Sequence, residues 1–179
     1  MLEIRRITSS EDQNLLPLIE LYISSFPEEE RRDIGQLKKL IDTTQHMYLN
    51  AVMLDDRLAG FFIYWMLDDF YYLEHLAVQP DLRNQKLGAR ILAWIEDNLD
   101  GIRLLEVEPD DNEMAARRIG YYQRNNYKVL TKEYIQPSYR APEDACALWI
   151  MGNRETDRIE SYIEAIKENI YRRPLSVID

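Results

Sequence analysis

The chain has 179 residues, 46% of them hydrophobic, and a formal net charge of −10, which suits one globular domain and argues against disorder. This charge argues against a nucleic-acid partner and fits either a cationic acceptor or simple solubility. A single cysteine excludes an intrachain disulfide framework, and the longest apolar run, Leu58 to Leu67, is too short to span a membrane. We therefore expect a cytoplasmic protein with no membrane or metal site.

The first 43 residues predict one strand and two helices. LEIRRI, residues 2–7, favours a short strand. Residues 9–26 carry apolar side chains at helical spacing, with Asp12 or Asn14 as a possible cap and Pro27 at the end. The charged segment PEEERRD leads to a second, shorter helix in IGQLKKLIDT.

Three strand-like segments follow, at residues 46–56, 58–69 and 70–80. Each is rich in aromatic and branched side chains, and the pairs Asp55-Asp56 and Asp68-Asp69 supply short polar turns between them. This pattern is typical of an antiparallel meander.

The second half returns to helical periodicity. Residues 87–99 predict a helix that Gly101 ends, residues 102–109 a strand, and residues 112–126 another helix. Two strands, at residues 127–135 and 146–151, precede a last amphipathic helix. The strand–helix–strand crossover implies one parallel pair. We expect an α/β (α+β) fold with a mixed, mostly antiparallel central sheet flanked by helices.

The C-terminal segment, residues 153–179, is predicted to be an addition to a domain of residues 1–152. Its isoleucine stripe must be buried, either on that domain or against a second copy of the chain. A homodimer is therefore possible.

The segment LAVQPDLRNQKLGARIL, residues 76–92, places a turn directly before a helix. The first amides of a helix lack internal acceptors, and the helix dipole favours an anion beside them. Arg83 and Lys86 add two cations there, which is unfavourable for the helix unless an anion binds between them. The alternative is an exposed turn whose cations point to water.

This segment resembles the acyl-coenzyme-A signature of the GCN5-related N-acetyltransferases, the GNAT family, in which Q/R-x-x-G-x-G/A opens a long helix. Arg83 and Gly88-Ala89 carry the match, and Lys86 stands in place of the first glycine. We expect Lys86 to keep ordinary helical geometry, with its side chain directed away.

A second segment, EVEPDDNEMAARRIGYYQRNNYKV, resembles the family pattern E-V-x-x-x-N-x-x-A-x-x-x-Y-x-x-x-G-F. Asn112, Ala116 and Tyr122 stand at about the expected places, and Asn126-Tyr127 replaces Gly-Phe. Asparagine is the next best residue after glycine for a left-handed helix exit.

The resemblance implies the GNAT fold and transfer of an acetyl group from acetyl-CoA, as cosubstrate, to a small-molecule or peptide primary amine in a ternary complex without metal. It implies that the turn amides hold the pyrophosphate and that a backbone amide of the preceding strand polarises the thioester carbonyl. The predicted cofactor-binding residues are Leu76, Ala77, Val78, Arg83, Asn84, Gln85, Lys86, Leu87, Gly88, Ala89 and Asn112. An acyl-CoA-binding sensor or interaction module without turnover is the alternative.

Glu74 is the first candidate for the base that deprotonates the amine, because strand alternation places Tyr72, Glu74 and Leu76 on one face and His75 on the other. Glu74 could instead bind a cationic substrate or pair with an arginine. Glu106 and Glu108 are reserve candidates.

By resemblance, Tyr122 is the acid on the thiol side, with a merely packed aromatic ring as the alternative. The first helix pair and the loop before the last strand are expected to border the acceptor pocket. Its predicted lining residues are Phe26, Glu28, Tyr72, Glu106 and Tyr139.

Overall fold

A computed structural model describes residues 1–176 of the chain. Its strands are β1 (Leu2–Ile7), β2 (Met47–Leu54), β3 (Arg57–Leu67), β4 (Phe70–Val78), β5 (Ile102–Val107), β6 (Lys128–Gln136) and β7 (Cys146–Gly152). Its helices are α1 (Leu15–Ser25), α2 (Ile34–Thr43), α3 (Leu87–Asn98), α4 (Glu113–Arg124) and α5 (Ile159–Ile166), and α5 continues through a π-helical turn (Lys167–Arg172) into α6 (Arg173–Ser176).

The strands form one seven-stranded sheet in the order β1-β2-β3-β4-β5-β7-β6. β4 and β5 are parallel, and the other neighbours are antiparallel. The crossover through α3 requires this one parallel pair, because a strand that returns from a helix runs in the same direction as the first. The predicted mixed, mostly antiparallel sheet is confirmed.

The parallel pair separates halfway along its length. β4 and β5 are paired from Phe70 and Ile102 as far as Leu73 and Leu105. Beyond that point β4 pairs with β3 alone, and β5 continues with β7. The main chain of β4 from Glu74 onward therefore presents an edge without a β5 partner, and a gap opens at the carboxyl ends of both strands.

A β-bulge lies at the start of this gap. On β3, Ile63 pairs with His75 and Tyr64 pairs with Leu73, so Glu74 has no partner there. An extra residue of this kind changes the side-chain alternation. His75 thus packs against α1, on the same face as Tyr72, whereas Leu76 packs on the α3 face. The predicted alternation, with Leu76 beside Glu74 and His75 opposite, is wrong because it assumed an unbroken strand.

Helices cover both faces of the sheet. The larger of the hydrophobic cores lies on one face of the sheet, where it is formed by apolar side chains of α1, α2 and the C-terminal helical segment. α3 packs in a smaller core on the opposite face. The C-terminal stripe is buried in the larger core through Tyr162, Ile163, Ile166, Ile170 and Tyr171. The boundary at residue 152 and the homodimer stay predictions. Within residues 1–176, no helix combines the length and the apolar character that a membrane span needs.

Candidate active site

The turn before α3 contains two residues in the left-handed region. Asn84 has φ 65° and Lys86 has φ 58°. Lys86 is the N-cap of α3, and no side chain caps this helix start. The expected ordinary helical geometry of Lys86 is therefore wrong. The chain must change direction between Leu82 and Leu87, and the left-handed residues provide that change at the place where the family signature has a glycine.

A concave surface surrounds the uncapped start of α3. It is lined by Val78, Leu82, Arg83, Asn84, Lys86, Leu87, Gly88, Ala89 and Tyr121. Among the predicted cofactor residues, Gln85 lies outside this surface, and its side chain donates to the Asp81 carbonyl. Asn112 caps α4 by accepting from the Ala115 amide at 2.9 Å. The first-turn amides and the two cations, Arg83 and Lys86, give this surface the chemistry of an anion site.

Close packing explains Gly88. A Cβ atom at this position would lie 2.7 Å from the Tyr121 hydroxyl oxygen. That hydroxyl is buried, and no described atom forms a hydrogen bond with it. A side chain at position 88 therefore fits only if the Tyr121 ring shifts, whereas the backbone conformation of Gly88 is ordinary.

The gap between β4 and β5 has both apolar and polar walls. Its lining includes Leu73, Leu76 and Leu105 together with Glu74, His75, Glu106 and Tyr122. Burial raises the pKa of the Tyr122 hydroxyl to about 12, so Tyr122 keeps its proton at neutral pH. Leu76 and Tyr122 thus lie at the gap, whereas Ala77 is only 7% exposed and packs in the larger core.

Glu74 is the centre of a buried polar cluster. Its side chain has no exposed surface, and Arg32 lies 3.0 Å from its carboxylate. The Trp65 indole and the Tyr139 hydroxyl donate to it at 2.6 and 2.9 Å. Burial alone would raise the pKa of this carboxyl, but Arg32 and the two hydrogen-bond donors outweigh it and hold the pKa below its usual value. Glu74 is ionised and fully engaged.

Arg32, the partner of Glu74, is a residue that the sequence did not reveal. It is 1% exposed and also donates to the Gln36 side chain and the Ile170 carbonyl. Its guanidinium lies 4.8 Å from the centre of the Tyr139 ring. In the sequence it stands in a run of charged residues that is typical of a surface turn. Only the C-terminal helical segment, which packs over it, makes it an interior cation.

Glu106 has a different environment. It accepts hydrogen bonds from Tyr134, Gln136 and Tyr171, and all of these donors are neutral. Burial raises its pKa, and these donors only partly oppose the rise. The carboxylate borders both the gap and a neighbouring pocket. A carboxylate with a raised pKa in a cleft is suited to take up a proton.

The neighbouring pocket is acidic. Four glutamates and one arginine line it, beside aromatic and apolar side chains: Phe26, Glu30, Glu74, His75, Glu106, Val107, Glu108, Arg118, Gln136, Tyr139, Cys146 and Leu148. Burial and the like charge of Glu108 raise the pKa of Glu30. The same three carboxylates, Glu106, Glu30 and Glu108, add to burial in raising the pKa of Cys146. The pocket therefore has a negative electrostatic potential.

Two of the predicted acceptor residues lie elsewhere. Tyr72 is 1% exposed, and its hydroxyl contacts that of Tyr171 within the core. Glu28 is exposed and pairs with Arg140. Neither residue lines this pocket, because Tyr72 is buried in the core and the exposed Glu28 pairs with Arg140. Phe26, Glu106 and Tyr139 do line the pocket, and Glu30 and His75 join them.

His75 has a defined protonation pattern. Its Nε2 lies 3.0 Å from the Glu30 carbonyl oxygen, which can only accept, so Nε2 carries a proton. Nδ1 has no hydrogen-bond partner among the described residues. Burial lowers the pKa of the ring against the opposing effect of Glu74. His75 is therefore a neutral wall of the pocket.

Comparisons with known proteins identify the family. The family model described as "Acetyltransferase (GNAT) family" matches residues 15–127. A solved GNAT-family structure from Bacteroides thetaiotaomicron is 34% identical, with a TM-score of 0.89 over 94% of this chain and 98% of that one. The chain belongs to the GNAT acetyltransferase family, and the resemblance in its two sequence segments is confirmed.

Two further relatives are more distant. YjbC of Bacillus subtilis (strain 168) is 26% identical over 152 residues, which cover 82% of this chain and 77% of YjbC. Naa50 of Arabidopsis thaliana, solved with the bisubstrate analogue CoA-Ac-MVNAL, is 13% identical with a TM-score of 0.58 over 86% of this chain and 98% of that one. The likeness to Naa50 supports the fold alone.

Proposed function

We propose that this protein transfers the acetyl group of acetyl-CoA to a primary amine by direct attack within a ternary complex. The observation that carries the proposal is the gap between β4 and β5. Glu74, His75 and Glu106 border both this gap and the acidic pocket, so one opening joins two potential ligand surfaces. Two reactants held on either side of such a gap gain from proximity and orientation.

The described residues fit a coenzyme A molecule. The start of α3 lacks a side-chain cap, and Arg83, Lys86 and the first-turn amides surround it. These groups would hold the pyrophosphate. When bound, the cosubstrate supplies an activated thioester. The β4 main chain from Glu74 onward, which has no β5 partner, would offer an amide to the thioester oxygen as negative charge develops there.

Glu106 is the base that we propose, and Glu74 is a positioning residue. The Glu74 carboxylate is saturated by Arg32, Trp65 and Tyr139 and has no exposed surface. Glu106 borders the pocket and has a raised pKa. In the reaction the amine nitrogen forms the new C–N bond and the C–S bond breaks. The neutral form of the amine attacks. Glu106 takes the proton that the nitrogen loses, directly or through one water, and Tyr122 gives its proton to the departing sulfur and regains one from solvent.

The acceptor that the pocket favours is a cationic amine. Arg32 neutralises Glu74, so Glu30, Glu106 and Glu108 remain against Arg118. Repulsion between Glu30 and Glu108 adds to burial in raising the Glu30 pKa. A cation that enters the pocket would relieve this repulsion. Long-range attraction of this kind weakens with ionic strength, so the KM of a cationic acceptor is expected to rise with salt.

Two measurements test the proposal. Acetyl-CoA is titrated against thermal unfolding, and a panel of primary amines is assayed by thiol release. Glu106→Gln and Tyr122→Phe are expected to lower kcat by about 100-fold or more, while the exposed Glu133→Gln on β6 serves as a matched control. Binding of acetyl-CoA without transfer to any amine would instead favour a sensor, and a silent titration would refute both functions.

A further inference from the structure

The C-terminal helical segment reaches the candidate active site through two consecutive residues. Ile170 and Tyr171 are buried, and both belong to the π-helical turn Lys167–Arg172. Such turns are rare and frequently occur at functional sites. The Ile170 carbonyl accepts from Arg32 at 2.6 Å, and the Tyr171 hydroxyl donates to Glu106 at 2.8 Å. One turn therefore contacts both the interior arginine and the proposed base.

The hydrogen bonds of Tyr171 have a defined direction. The Gln136 side-chain amide donates to the Tyr171 hydroxyl oxygen at 3.1 Å. The hydroxyl has a single proton, which it donates to Glu106. Burial and the nearby Glu106 carboxylate raise the pKa of Tyr171 well above its usual value, so the hydroxyl keeps this proton. Tyr171 thus remains a donor over the range of pH in which a carboxyl group titrates.

Three neutral donors fix the two oxygens of the Glu106 carboxylate. Tyr134 donates to Oε1, whereas Gln136 and Tyr171 both donate to Oε2. Tyr134 and Gln136 belong to β6, but Tyr171 lies 65 positions after Glu106 in the chain. Its ring packs against Tyr139, with 4.9 Å between the ring centres. The orientation of Glu106 therefore depends on the C-terminal helical segment as well as on the sheet.

We propose that Tyr171 is a positioning residue for acetyl transfer, whose hydroxyl holds the Glu106 carboxylate in a fixed orientation and favours its ionised form. This inference rests on the function proposed above, in which Glu106 is the base. A hydrogen bond to an ionised carboxylate favours the charged form, and a fixed orientation keeps the base within reach of the proton that it takes. Burial raises the pKa of Glu106, and Tyr171 is one of the donors that oppose the rise.

Other titratable or charged side chains also face Glu106. They are Tyr72, Glu74 and His75 on β4, Tyr139 in the loop before β7, Cys146 on β7, and Glu30, Glu108 and Arg118 across the acidic pocket. A change at position 171 leaves all of these groups in the protein. A change in the titration of Glu106 is therefore assigned to the Tyr171 hydroxyl.

Carboxyl NMR tests this role without an activity assay. Protein labelled with ¹³C at the glutamate side-chain carboxyl carbon is titrated with pH, and the Glu106 signal is the one that Glu106→Gln removes. Tyr171→Phe keeps the ring and removes only the hydroxyl. We expect Glu106 in this variant to titrate about one pH unit above the parent protein, since a hydrogen bond to a charged group is lost.

Tyr162→Phe is the matched control. Tyr162 lies on the same C-terminal segment, is also buried, and donates to the Asp69 carboxylate at 3.2 Å. This variant should leave the titration of Glu106 unchanged, and thermal unfolding shows that each variant is folded. An unshifted Glu106 in Tyr171→Phe, or an equal shift in both variants, would overturn the proposal.

A second probe at position 171 retains the hydroxyl. Incorporation of 3-fluorotyrosine there keeps nearly the same ring volume and makes the hydroxyl more acidic, so it becomes a stronger donor. Glu106 should then titrate at a lower pH than in the parent protein, which is opposite to the effect of Tyr171→Phe. A shift to higher pH with this probe would contradict the proposed hydrogen bond.

Kinetics connect the hydroxyl to transfer. With one amine acceptor for all variants, kcat/KM of Tyr171→Phe should fall by about tenfold on the low-pH side of the profile and recover at higher pH, because a protonated Glu106 cannot act as a base. A loss of equal size at every pH would overturn the positioning role. A parent protein that transfers to no amine would refute the proposed function instead, and the two failures are distinguishable because the NMR titration needs no substrate.

Discussion

Lys86 offers a direct test of the turn before α3. It is exposed, has φ 58° and ψ 16°, and occupies the N-cap of the helix. The left-handed region costs a non-glycine residue about 1–2 kcal/mol, and a cation at the positive end of a helix dipole costs about 0.3–1 kcal/mol more. Lys86→Gly removes both terms and adds about 0.4–1 kcal/mol of chain entropy to the unfolded state. We expect a net stabilisation of about 1 kcal/mol.

This change is measurable in urea titrations and in thermal unfolding, where it corresponds to about 2–4 °C for a chain of this size. The matched control is Gln85→Gly. Gln85 is exposed and is not among the residues with positive φ, so glycine there should destabilise by about 0.4–1 kcal/mol. Acetyl-CoA affinity of Lys86→Gly is expected within about threefold of the parent, because the backbone amide is retained and the lost ammonium is exposed, where water and salt weaken its attraction to a phosphate. Equal or lower stability of Lys86→Gly would refute the reasoning.

Three more predictions concern the interior of the site. Glu74→Gln leaves Arg32 buried without its carboxylate and should cost about 3 kcal/mol in urea unfolding at pH 7. Because the Glu74 pKa is lowered on folding, this difference should shrink as the pH falls below about 4, and a constant difference would contradict the ion pair. Glu106 must be ionised to act as a base, so kcat/KM should fall as the pH drops through its raised pKa; if this limb persists in Glu106→Gln, another group is the base. Gly88→Ala places a Cβ 2.7 Å from the Tyr121 oxygen and should destabilise by about 1–3 kcal/mol, as thermal unfolding can show. Tyr121→Phe should restore most of this loss, and additive effects would argue against the contact.

The spacing of apolar residues along the chain was sufficient to predict most of the fold. The meander, the crossover helix and the last helix all follow from local patterns of apolar residues, which determine the face that each element buries. Two short segments, around Gly88 and Tyr122, were sufficient for the family, and the structure brings them together where the start of α3 at Gly88 packs against Tyr121. These features are local in the chain, so a single sequence contains them.

The side-chain partners at the site depend on contacts between residues far apart in the chain. The bulge at Glu74 lies where β4 leaves β5 while it stays paired with β3, and His75 beside it lines the acidic pocket. Arg32 becomes an interior cation because the C-terminal helical segment covers it. Glu74 and Glu106 are both glutamates on neighbouring strands, and from the sequence Glu74 is the first candidate for the base and Glu106 a reserve. Tertiary packing separates them, because it supplies a guanidinium to one carboxylate and only neutral donors to the other.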